Sequence, residues 1–499
     1  MKKIVLLALD ERPCNFKFPY QIFNCEDFSI ERIEPLGQKK KPADVAAIST
    51  QLKEKCASAD MAVLSLDTLL YGGLLPSRLH HYKTEEVMER INLLRAIKAE
   101  NPDLVIYAFQ CIMRCPAYSN SDEEPDYYDV CGQQIHQLGH ALHKKKLGLD
   151  SQYDAALLLS QIKKEYLEDY EWRRGFNRFF NLEALKLVKD GIIDFLVIPQ
   201  DDAAPYGYTA MDQKEIRREI VNASLSDRIL LYPGADEVAM TLLARAMNHW
   251  KKKRPKVYVR YASVHAKYLI PLCEDRALGE TIRYHIMAAG CIQVDCAAEA
   301  DLILAVSAPA NKMLCPEDQP AENADYDVER NLAEFVYAIE TYLFEGKPVT
   351  IGDNAYLNCS DMKLVEMLAQ KDLLMHVAGY AGWNTSSNTI GTALAEGIKF
   401  LYYGSDTTHK AFLVLRYLED AAYDGFVRSE ITEKELPALG MSYYDVKERN
   451  GIASELVKKH LNKFMEEKFP SFAQDTSIDC VTMPWKRMFE TDIEISYKV

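Results

Sequence analysis

The chain has 499 residues, of which 48% are apolar and 27% are charged, and it carries a formal net charge of -15. This length predicts two or three globular domains rather than one core. The negative charge argues against a nucleic acid or an anionic membrane as the main partner, because both require a basic face, and it favours a small neutral or cationic ligand.

The chain opens with the apolar run "KIVLLALD", which ends at Asp10 and Glu11 without a small-residue cleavage site. We interpret this run as a first core strand rather than a signal peptide. The twelve cysteines are scattered without a C-x-x-C ladder. These features predict a cytoplasmic protein with no membrane segment. The sequence leaves the oligomeric state open, and a homo-oligomer is one of the options.

Short β-branched apolar runs alternate with longer amphipathic segments through most of the chain, a pattern typical of βαβ units. The predicted strands are "IVLLAL", "SIERIE", "MAVLSL", "LVIYAF", "DFLVIP", "RILLYP", "KVYVRYA", "CIQV", "LILAVS", "PVTIG", "LLMHVAG" and "KFLYYG". The predicted helices span 84–99, 212–225, 236–250, 326–344, 361–370 and 388–397. This alternation predicts an α/β fold with parallel sheets.

We expect three parts along the chain. Residues 1–250 form an N-terminal α/β domain with an insertion at 112–190, residues 251–410 form a second α/β domain, and residues 411–499 form a mainly helical C-terminal part. Both α/β domains are predicted to be doubly wound parallel sheets. A (β/α)8 barrel in the N-terminal 300 residues is the alternative. A long insertion between strands usually builds a lid or one wall of a site.

Polar residues follow nearly every predicted strand, where ligands of parallel α/β folds bind. These strand-end residues are Asp10, Glu11, Arg12, Asp67, Gln110, Arg114, Gln200, Asp201, Asp202, Asp236, Glu237, Asp353, Asn354, Trp383 and Asn384. A single acid before a helix is usually an N-cap. Six or seven such ends on one rim favour a binding or catalytic site.

Two acid doublets, Asp201-Asp202 and Asp236-Glu237, are the most specific of these features. Each could be a helix cap beside a solvated neighbour. Alternatively, two close carboxylates repel, so one keeps its proton as a general acid while the other stays ionised. Glycoside cleavage requires such a pair.

The stretch "YPGADE" resembles the Asp-Glu signature of substrate-assisted β-N-acetylhexosaminidases. That resemblance implies that Asp236 orients the substrate acetamide and that Glu237 is the general acid. "QDD" at 200–202 is similar to the Asp-Asp pair of other N-acetylglucosaminidases, so the two doublets compete for one role.

Five motifs together resemble a full-length bacterial family known as a domain of unknown function. They are "LALDERPCNF", "DTLLYGGLLPSR", "DDAAPYGY", "GADEVAMTLLAR" and "AGYAGWNTSSNTIGTALA". Residues 262–268, "ASVHAKY", depart from the polar turn of that family. At the family level the resemblance implies activity on β-linked N-acetylgalactosamine.

Several other residues are candidates for substrate binding. Arg12, Arg78 and Arg114 flank acid-rich strand ends, where they could bind hydroxyls or act as buried counter-ions. Trp383 could stack on a sugar ring or anchor its loop. Tyr206 allows the same two interpretations. The predicted substrate-binding residues are Asp10, Glu11, Arg12, Asp67, Arg78, Arg114, Tyr206, Asp353, Trp383 and Asn384.

No cofactor and no metal site is predicted. His136, His140 and His143 share one helical face, but no acid or cysteine at motif spacing accompanies them, so we interpret them as a surface or interface stripe. The glycine-rich stretches do not match nucleotide-binding fingerprints.

We therefore expect an exo-acting glycosidase of β-linked N-acetylamino sugars, with a small carbohydrate as its substrate. Asp236 and Glu237 would carry out the chemistry, and Asp201 and Asp202 would share it or bind sugar hydroxyls. The alternatives are a metal-dependent sugar isomerase or lyase, a nucleotide-sugar glycosyltransferase and a non-catalytic sugar-binding protein.

Overall fold

The computed structural model of the protein describes residues 1–498. The chain folds into two compact units, each assembled from separate segments. The first unit contains Met1–Glu11, Asn24–Leu242 and Cys273–Asp275, and the second contains Arg12–Phe23, Leu243–Leu272 and the chain from Arg276 onward. Among the described residues, no helix combines the length and the apolar character that a membrane span requires.

The first unit is built on a six-stranded parallel sheet. Its strands are β1 Lys2–Leu7, β2 Phe28–Arg32, β3 Met61–Ser65, β4 Val105–Phe109, β5 Phe195–Gln200 and β6 Ile229–Pro233. Their spatial order is β2-β1-β3-β4-β5-β6, and every neighbouring pair is parallel. The sheet is therefore open, with β2 and β6 at its edges. The alternative of a closed (β/α)8 barrel is wrong, because these two edge strands do not pair.

Helices connect these strands, as parallel pairing requires. The helices of the first unit are Val45–Cys56, Leu66–Tyr71, Leu74–Ser77, Thr84–Glu100, Tyr128–Lys146, Ala155–Gln161, Lys164–Lys189 and Tyr208–Asn222, and Val238–Lys251 begins there. The core of the unit combines β-branched and leucine side chains of the sheet, such as Val5, Leu64 and Ile106, with one face of each helix. The predicted insertion 112–190 contains three of these helices, between β4 and β5.

The second unit is built on a five-stranded parallel sheet. Its strands are β7 Lys256–Tyr261, β8 Ile292–Val294, β9 Leu302–Ser307, β10 Val349–Asp353 and β11 Gly379–Ala381, in the order β11-β10-β9-β7-β8. Two parallel sheets confirm the predicted α/β class. The strand order changes direction between β1 and β3 in the first sheet and between β7 and β9 in the second. At such a switch point, parallel sheets have a crevice at the carboxyl ends of the strands.

The second unit also contains most of the short helices. Its α-helices are Pro13–Phe16, Phe18–Phe23, Leu278–Ala288, Ala324–Asp327, Leu332–Phe344, Met362–Gln370, Ser386–Tyr403, Thr407–Arg416, Arg428–Lys434, Ile452–Lys468 and Pro470–Ala473. The 3-10 helices are Ala266–Tyr268, Ala297–Glu299, Pro316–Asp318, Leu436–Leu439 and Pro484–Lys486. Tyr417–Val427 forms a π-helix. The segment "KFLYYG", predicted as a strand, is instead the end of helix Ser386–Tyr403.

The C-terminal part is helical except for one antiparallel hairpin. This hairpin pairs β12, Thr476–Thr482, with β13, Asp492–Tyr497. Residues of β12 and of helix Ile452–Lys468, such as Ile478 and Val457, are buried in the same core as Ile351 of β10. The C-terminal part therefore belongs to the second unit.

Candidate functional site

Polar residues at the ends of four adjacent strands converge in the first unit. Asp67 follows β3, Cys111 follows β4, Asp201 follows β5 and Asp236 follows β6. Asp67 Oδ2 accepts the backbone N–H of Cys111 at 2.8 Å. Burial and the negative charges of Asp67, Asp201 and Asp236 raise the pKa of the Cys111 thiol well above its ordinary value. The convergence expected from parallel strand ends is therefore present along this edge.

A cluster of two arginines and four acids lies at the same edge, and we call it the arginine–acid cluster. Its members are Arg78, Arg114, Glu123, Glu124, Asp201 and Asp202. Arg78 donates from Nη2 to Asp201 Oδ2 at 2.5 Å and from Nη1 to Glu124 Oε1 at 3.2 Å. Its side chain is 1% exposed, so these bonds are shielded from solvent.

Arg114 binds every acid of the arginine–acid cluster. Its Nε donates to Glu124 Oε1 at 2.6 Å, and its Nη2 lies 2.9 Å from Glu123 Oε2. Its Nη1 lies 2.7 Å from Asp202 Oδ2 and 3.6 Å from Asp201 Oδ2. The two carboxylates of the doublet therefore share one guanidinium nitrogen.

The arginine–acid cluster contains more acids than bases, and this imbalance affects its protonation. Burial and the neighbouring charge of Asp201 raise the pKa of Asp202 to about 6, although the Arg114 charge opposes the shift. Burial also raises the pKa of Asp67 to about 7, against the hydrogen bond from Cys111. Two acids at this edge thus exchange protons near neutral pH, as general acid–base catalysts do.

The insertion between β4 and β5 holds Arg114 in place. The backbone carbonyl of Arg114 accepts the Tyr170 hydroxyl at 3.1 Å and Arg174 Nη1 at 3.0 Å. Arg174 also donates to Asp212 Oδ2 at 2.5 Å, and Asp212 belongs to the helix that follows β5. Tyr118 accepts from Arg114 Nη2 at 2.9 Å. The insertion therefore forms a wall of the site and contributes its acids.

Asp202 adopts an uncommon backbone conformation. Its φ is +44°, in the left-handed region that non-glycine residues seldom occupy. The next residue, Ala203, donates its N–H to Cys273 O at 2.8 Å, which fixes the loop after β5. Such conformations concentrate at functional sites, where surrounding contacts compensate their cost.

Two buried groups at this edge have hydrogen-bonding capacity that no described residue uses. Gln110, the residue before Cys111, is 1% exposed, and neither its side-chain oxygen nor its nitrogen has a partner. Glu124 Oε2 likewise has no partner among residues 1–498. Unpaired buried polar groups cost stability, so they suit positions where a ligand supplies the missing partner.

The second doublet has a different environment. Glu237 is fully buried, and its Oε2 accepts the backbone N–H of Ala235 at 3.0 Å. Its carboxylate fills the space beside Gly234, where an added Cβ would lie 2.6 Å from Glu237 Oε1. Glu237 thus bonds within its own turn, while Asp236 acts electrostatically on Cys111.

Other predicted residues of the first unit lie in structural contacts. Asp10 is buried, and Glu11 Oε1 accepts the N–H of Lys39 at 2.7 Å. Tyr206 packs its ring 5.6 Å from His140 and 5.9 Å from His143, between ring centroids. The third residue of that helical face, His136, hydrogen-bonds Cys115 O at 2.8 Å. No grouping of three or more His, Cys, Asp or Glu suited to a metal occurs within residues 1–498.

Four predicted residues belong to the second unit. Arg12 lies over the Trp485 ring at 4.7 Å, and its Nη1 lies 3.7 Å from Glu490 Oε2. Asp353 Oδ2 accepts from Asp361 N at 2.7 Å and from the Tyr380 hydroxyl at 3.0 Å. Burial and the Asp361 charge raise the pKa of Asp353 to about 7. The remaining two, Trp383 and Asn384, line a pocket of that unit.

Sequence reasoning missed Glu123 and Glu124 as site residues. Both lie in the acidic run "YSNSDEEPDYYDV" of the insertion, which contained the signal. Their partners Arg78 and Arg114 are separated from each other by a strand and a long helix, so only the folded chain shows the pairing.

Comparisons with known proteins add a family and little chemistry. A family model described as "Protein of unknown function (DUF4127)" matches residues 4–494. No curated protein matches the chain. One solved structure with some similarity is a C2-type ketoreductase from a modular polyketide synthase, with 13% identity, 70% of this chain and 91% of that chain covered, and a TM-score of 0.14. A TM-score this low supports no inference about fold or function.

Proposed function

Since the chain belongs to the DUF4127 family, whose description names no reaction, we propose its function from the site itself. We propose an exo-acting glycoside hydrolase of β-linked N-acetylamino sugars, with N-acetylgalactosamine as the first candidate. The observation that carries this proposal is the doublet Asp201-Asp202, in which two adjacent carboxylates share Arg114 Nη1 but have different partners.

The two carboxylates of the doublet suit two different roles. Asp202 titrates near pH 6, so it can hold a proton and donate it. Asp201 Oδ2 accepts a hydrogen bond from the buried Arg78 Nη2 at 2.5 Å, which fixes the orientation of its carboxyl group. A proton donor beside an orienting hydrogen-bond acceptor is the pair that substrate-assisted glycosidases use.

The proposed reaction has two steps. Asp202 donates its proton to the leaving oxygen, the bond from that oxygen to the anomeric carbon breaks, and the substrate's acetamido oxygen bonds to the anomeric carbon. Asp201 accepts the acetamido N–H and orients the group. Asp202, now ionised, then removes a proton from water, whose oxygen attacks the anomeric carbon. The bond from the acetamido oxygen to that carbon breaks, which restores the open acetamido group.

Unused hydrogen-bonding groups at the same edge support sugar binding. Gln110 offers an amide oxygen and an amide nitrogen, and Glu124 Oε2 offers an acceptor. A site whose buried polar groups are paired only by the correct hydroxyl groups rejects analogues that lack them. The substrate would therefore complete hydrogen bonds that the protein leaves open.

This assignment makes Asp202 the acid in preference to Glu237. The Glu237 carboxylate is occupied by the Ala235 N–H inside its own turn. Asp236 remains at the strand edge, where its charge acts on Cys111. We assign Asp236 to the electrostatic environment of the site and Glu237 to the support of its turn.

The cytoplasm is the proposed location. All twelve cysteines are free thiols, including seven buried ones, and such usage is typical of reducing compartments. The proposed location does not depend on the proposed reaction.

The direct test is hydrolysis of p-nitrophenyl N-acetyl-β-D-galactosaminide. We expect Asp202→Asn to lower kcat by about 10²- to 10⁴-fold, the usual contribution of a general acid. Asp201→Asn should lower kcat for this substrate strongly as well. The matched control is Asp190→Asn, which alters an exposed acid of the same unit, and His140→Ala is a second control.

Different outcomes separate the alternatives. Unchanged activity in both Asp202→Asn and Glu237→Gln would refute the hydrolase proposal. Dependence of turnover on added Mn²⁺ or Mg²⁺, abolished by a chelator, would favour an isomerase or lyase. Transfer from a nucleotide sugar would indicate a glycosyltransferase, and tight sugar binding without turnover would indicate a binding protein.

A further inference from the structure

Helix Lys164–Lys189 of the insertion turns two large aromatic side chains to solvent. Trp172 and Phe179, which lie two helical turns apart on one side of the helix, are 43% and 41% exposed. The buried residues of this helix, such as Tyr170, Asn177 and Ala184, lie on its opposite side. A helix on the surface of a protein normally presents polar residues to water. The two exposed rings therefore indicate a surface that another protein covers.

The exposed side of the helix repeats every 3.5 residues, which is the period of a helix that pairs with a second helix. We call its eight residues the exposed seam. They are Glu165, Glu168, Trp172, Gly175, Phe179, Leu182, Lys186 and Lys189. Gly175 and Leu182 are half-buried, and the other members are exposed. The exposed seam is about 36 Å long at 1.5 Å per residue.

The two ends of the exposed seam carry opposite charges. Glu165 and Glu168 precede the aromatic residues, and Lys186 and Lys189 follow them. The side chains of Glu168 and Lys186 are 64% and 62% exposed. An acidic end and a basic end make the exposed seam complementary to a second copy of itself that runs in the opposite direction.

Ion pairs within the helix leave these charges available to a partner. Lys164 Nζ lies 3.4 Å from Glu168 Oε1, and Lys186 Nζ lies 2.6 Å from Glu183 Oε1. Exposed pairs between neighbouring turns contribute little to stability. The same groups can therefore bind opposite charges on another helix at little cost.

One antiparallel register matches every residue of the exposed seam. The opposing residues of the two copies are Glu165 with Lys189, Glu168 with Lys186, Trp172 with Leu182, and Gly175 with Phe179. A two-fold axis at the level of Asn177 relates the copies, so each contact occurs twice. The charged ends are then paired, and the aromatic residues meet apolar partners at the centre.

Gly175 leaves a gap at the centre of the exposed seam. A Cβ added at Gly175 would have no atom of residues 1–498 within 4 Å. In the antiparallel register the Phe179 ring of the second copy lies opposite this position and fills the gap, as a knob fills a hole between paired helices. A glycine in the middle of a helix is unfavourable, and space for a partner's ring is a reason for its presence.

Trp172 is held in place before any partner binds. Its ring stacks on His81 with 5.7 Å between centroids and packs against Phe176 at 5.3 Å. A side chain that is already ordered loses little conformational entropy on association. Trp172 is therefore suited to anchor an interface.

From these observations we propose that two copies of this chain form a dimer by antiparallel pairing of helix Lys164–Lys189 through the exposed seam. Trp172 and Phe179 form its apolar centre, and the glutamates of each copy pair with the lysines of the other. The opposite side of the helix carries Tyr170 and Arg174, which bind Arg114 O. Dimerisation is therefore independent of the proposed reaction.

The test is sedimentation velocity of the full chain, with light scattering after size exclusion as a second measurement. A single helix pair is a small interface, so we expect a dimer that dissociates on dilution within the range of about 1–200 µM protein. The dimer should have twice the mass of the chain.

Charge reversal locates the interface. Glu168→Lys or Lys186→Glu alone should weaken dimerisation at least about 10-fold, because like charges then face each other twice. The double variant Glu168→Lys, Lys186→Glu restores opposite charges across the interface and should dimerise like the unaltered chain. Glu54→Lys is the matched control, since it makes the same charge change at an exposed acid of helix Val45–Cys56.

Gly175→Gln tests the apolar centre without relying on charge. Within one chain the added side chain begins in open space, and glutamine favours a helix more than glycine does, so the fold should be kept. In the dimer the glutamine occupies the place of the Phe179 ring, so dimerisation should be lost. Circular dichroism of each variant shows whether the fold is intact.

Three results would overturn the proposal. The first is an unaltered chain that remains monomeric over the whole concentration range. The second is dimerisation of Glu168→Lys and Gly175→Gln at the strength of the Glu54→Lys control. The third is a double charge variant that keeps its fold and does not regain dimerisation.

Discussion

Arg114→Met tests whether the arginine–acid cluster is held by its central guanidinium. The substitution keeps an unbranched side chain but leaves Glu123, Glu124, Asp201 and Asp202 with Arg78 as their remaining arginine within the cluster. Removing one partner of a buried ion pair costs about 3–5 kcal/mol, because the other charge stays buried without compensation. Arg114 contacts four carboxylates, so we expect a loss at the upper end of this range at pH 8.

The loss should depend on pH with a definite sign. The Arg114 charge opposes the raised pKa of Asp202, so without Arg114 that pKa rises further above its unfolded value. A group with a raised folded pKa destabilises the fold as pH increases towards that pKa, so the penalty is large at pH 8 and smaller at pH 5. Urea unfolding followed by circular dichroism measures the free energy of unfolding at both values.

The matched control is Arg95→Met, which removes an exposed pair with Asp190 at 2.6 Å. Exposed ion pairs contribute about 0–1 kcal/mol, so this variant should lose little stability at either pH. A loss in Arg114→Met equal to that of the control, or a loss independent of pH, would refute the view that Arg114 neutralises buried acids.

Three further predictions concern protonation and packing. Because Asp202 acts as a proton donor with a pKa of about 6, kcat/KM for the nitrophenyl substrate should fall about tenfold per pH unit above pH 6, and a flat profile to pH 8 would contradict this. The pKa of Asp67 is raised to about 7, so its contribution to stability is present below pH 4 and is lost as pH rises towards 7. Asp67→Asn should therefore flatten the pH dependence of unfolding by roughly 2–4 kcal/mol, measured by urea unfolding. Gly175→Ala should stabilise helix Lys164–Lys189 by about 0.5–1 kcal/mol, because an added Cβ meets open space. Gly132→Ala should destabilise the protein by about 1–3 kcal/mol, because its Cβ would lie 2.6 Å from Tyr118 O. Thermal unfolding of the two variants measures both effects.

The parallel sheets could be predicted because each central strand is a buried, β-branched run with an amphipathic segment after it. Ten of the twelve predicted runs coincide with strands. Those buried along their whole length, such as β3, β5 and β9, need only the local pattern, since a strand buried on both faces is apolar throughout. "KFLYYG" misled the prediction because aromatic residues at the end of a buried helix form the same kind of run. The hairpin of β12 and β13 was missed although "TSIDCVT" alternates between buried and exposed positions, which is the period of a half-buried strand.

The site was predictable in outline and less so in its pairings. Strand ends of a parallel sheet share one edge, so acids after β3, β5 and β6 had to lie near one another. The contacts of Glu123 and Glu124 with Arg78 depend on the folding of an insertion, which has no fixed spacing to the sheet. The π-helix Tyr417–Val427 has no sequence signature, because its residues are compatible with an ordinary α-helix.

Two variants of Glu237 distinguish best which of the two acid doublets is catalytic. A glutamine at this position keeps an oxygen that can accept the Ala235 N–H, so Glu237→Gln should preserve the turn after β6. If Glu237 supports the turn, this variant retains activity, while Glu237→Ala leaves a buried N–H unpaired and loses about 1–3 kcal/mol of stability. If Glu237 is the proton donor, Glu237→Gln abolishes activity at unchanged stability. Kinetics and urea unfolding of the two variants therefore decide which doublet holds the catalytic proton. If Glu237→Gln keeps its activity, Asp202→Asn must lose it, and if Glu237→Gln loses its activity, Asp202→Asn must keep it.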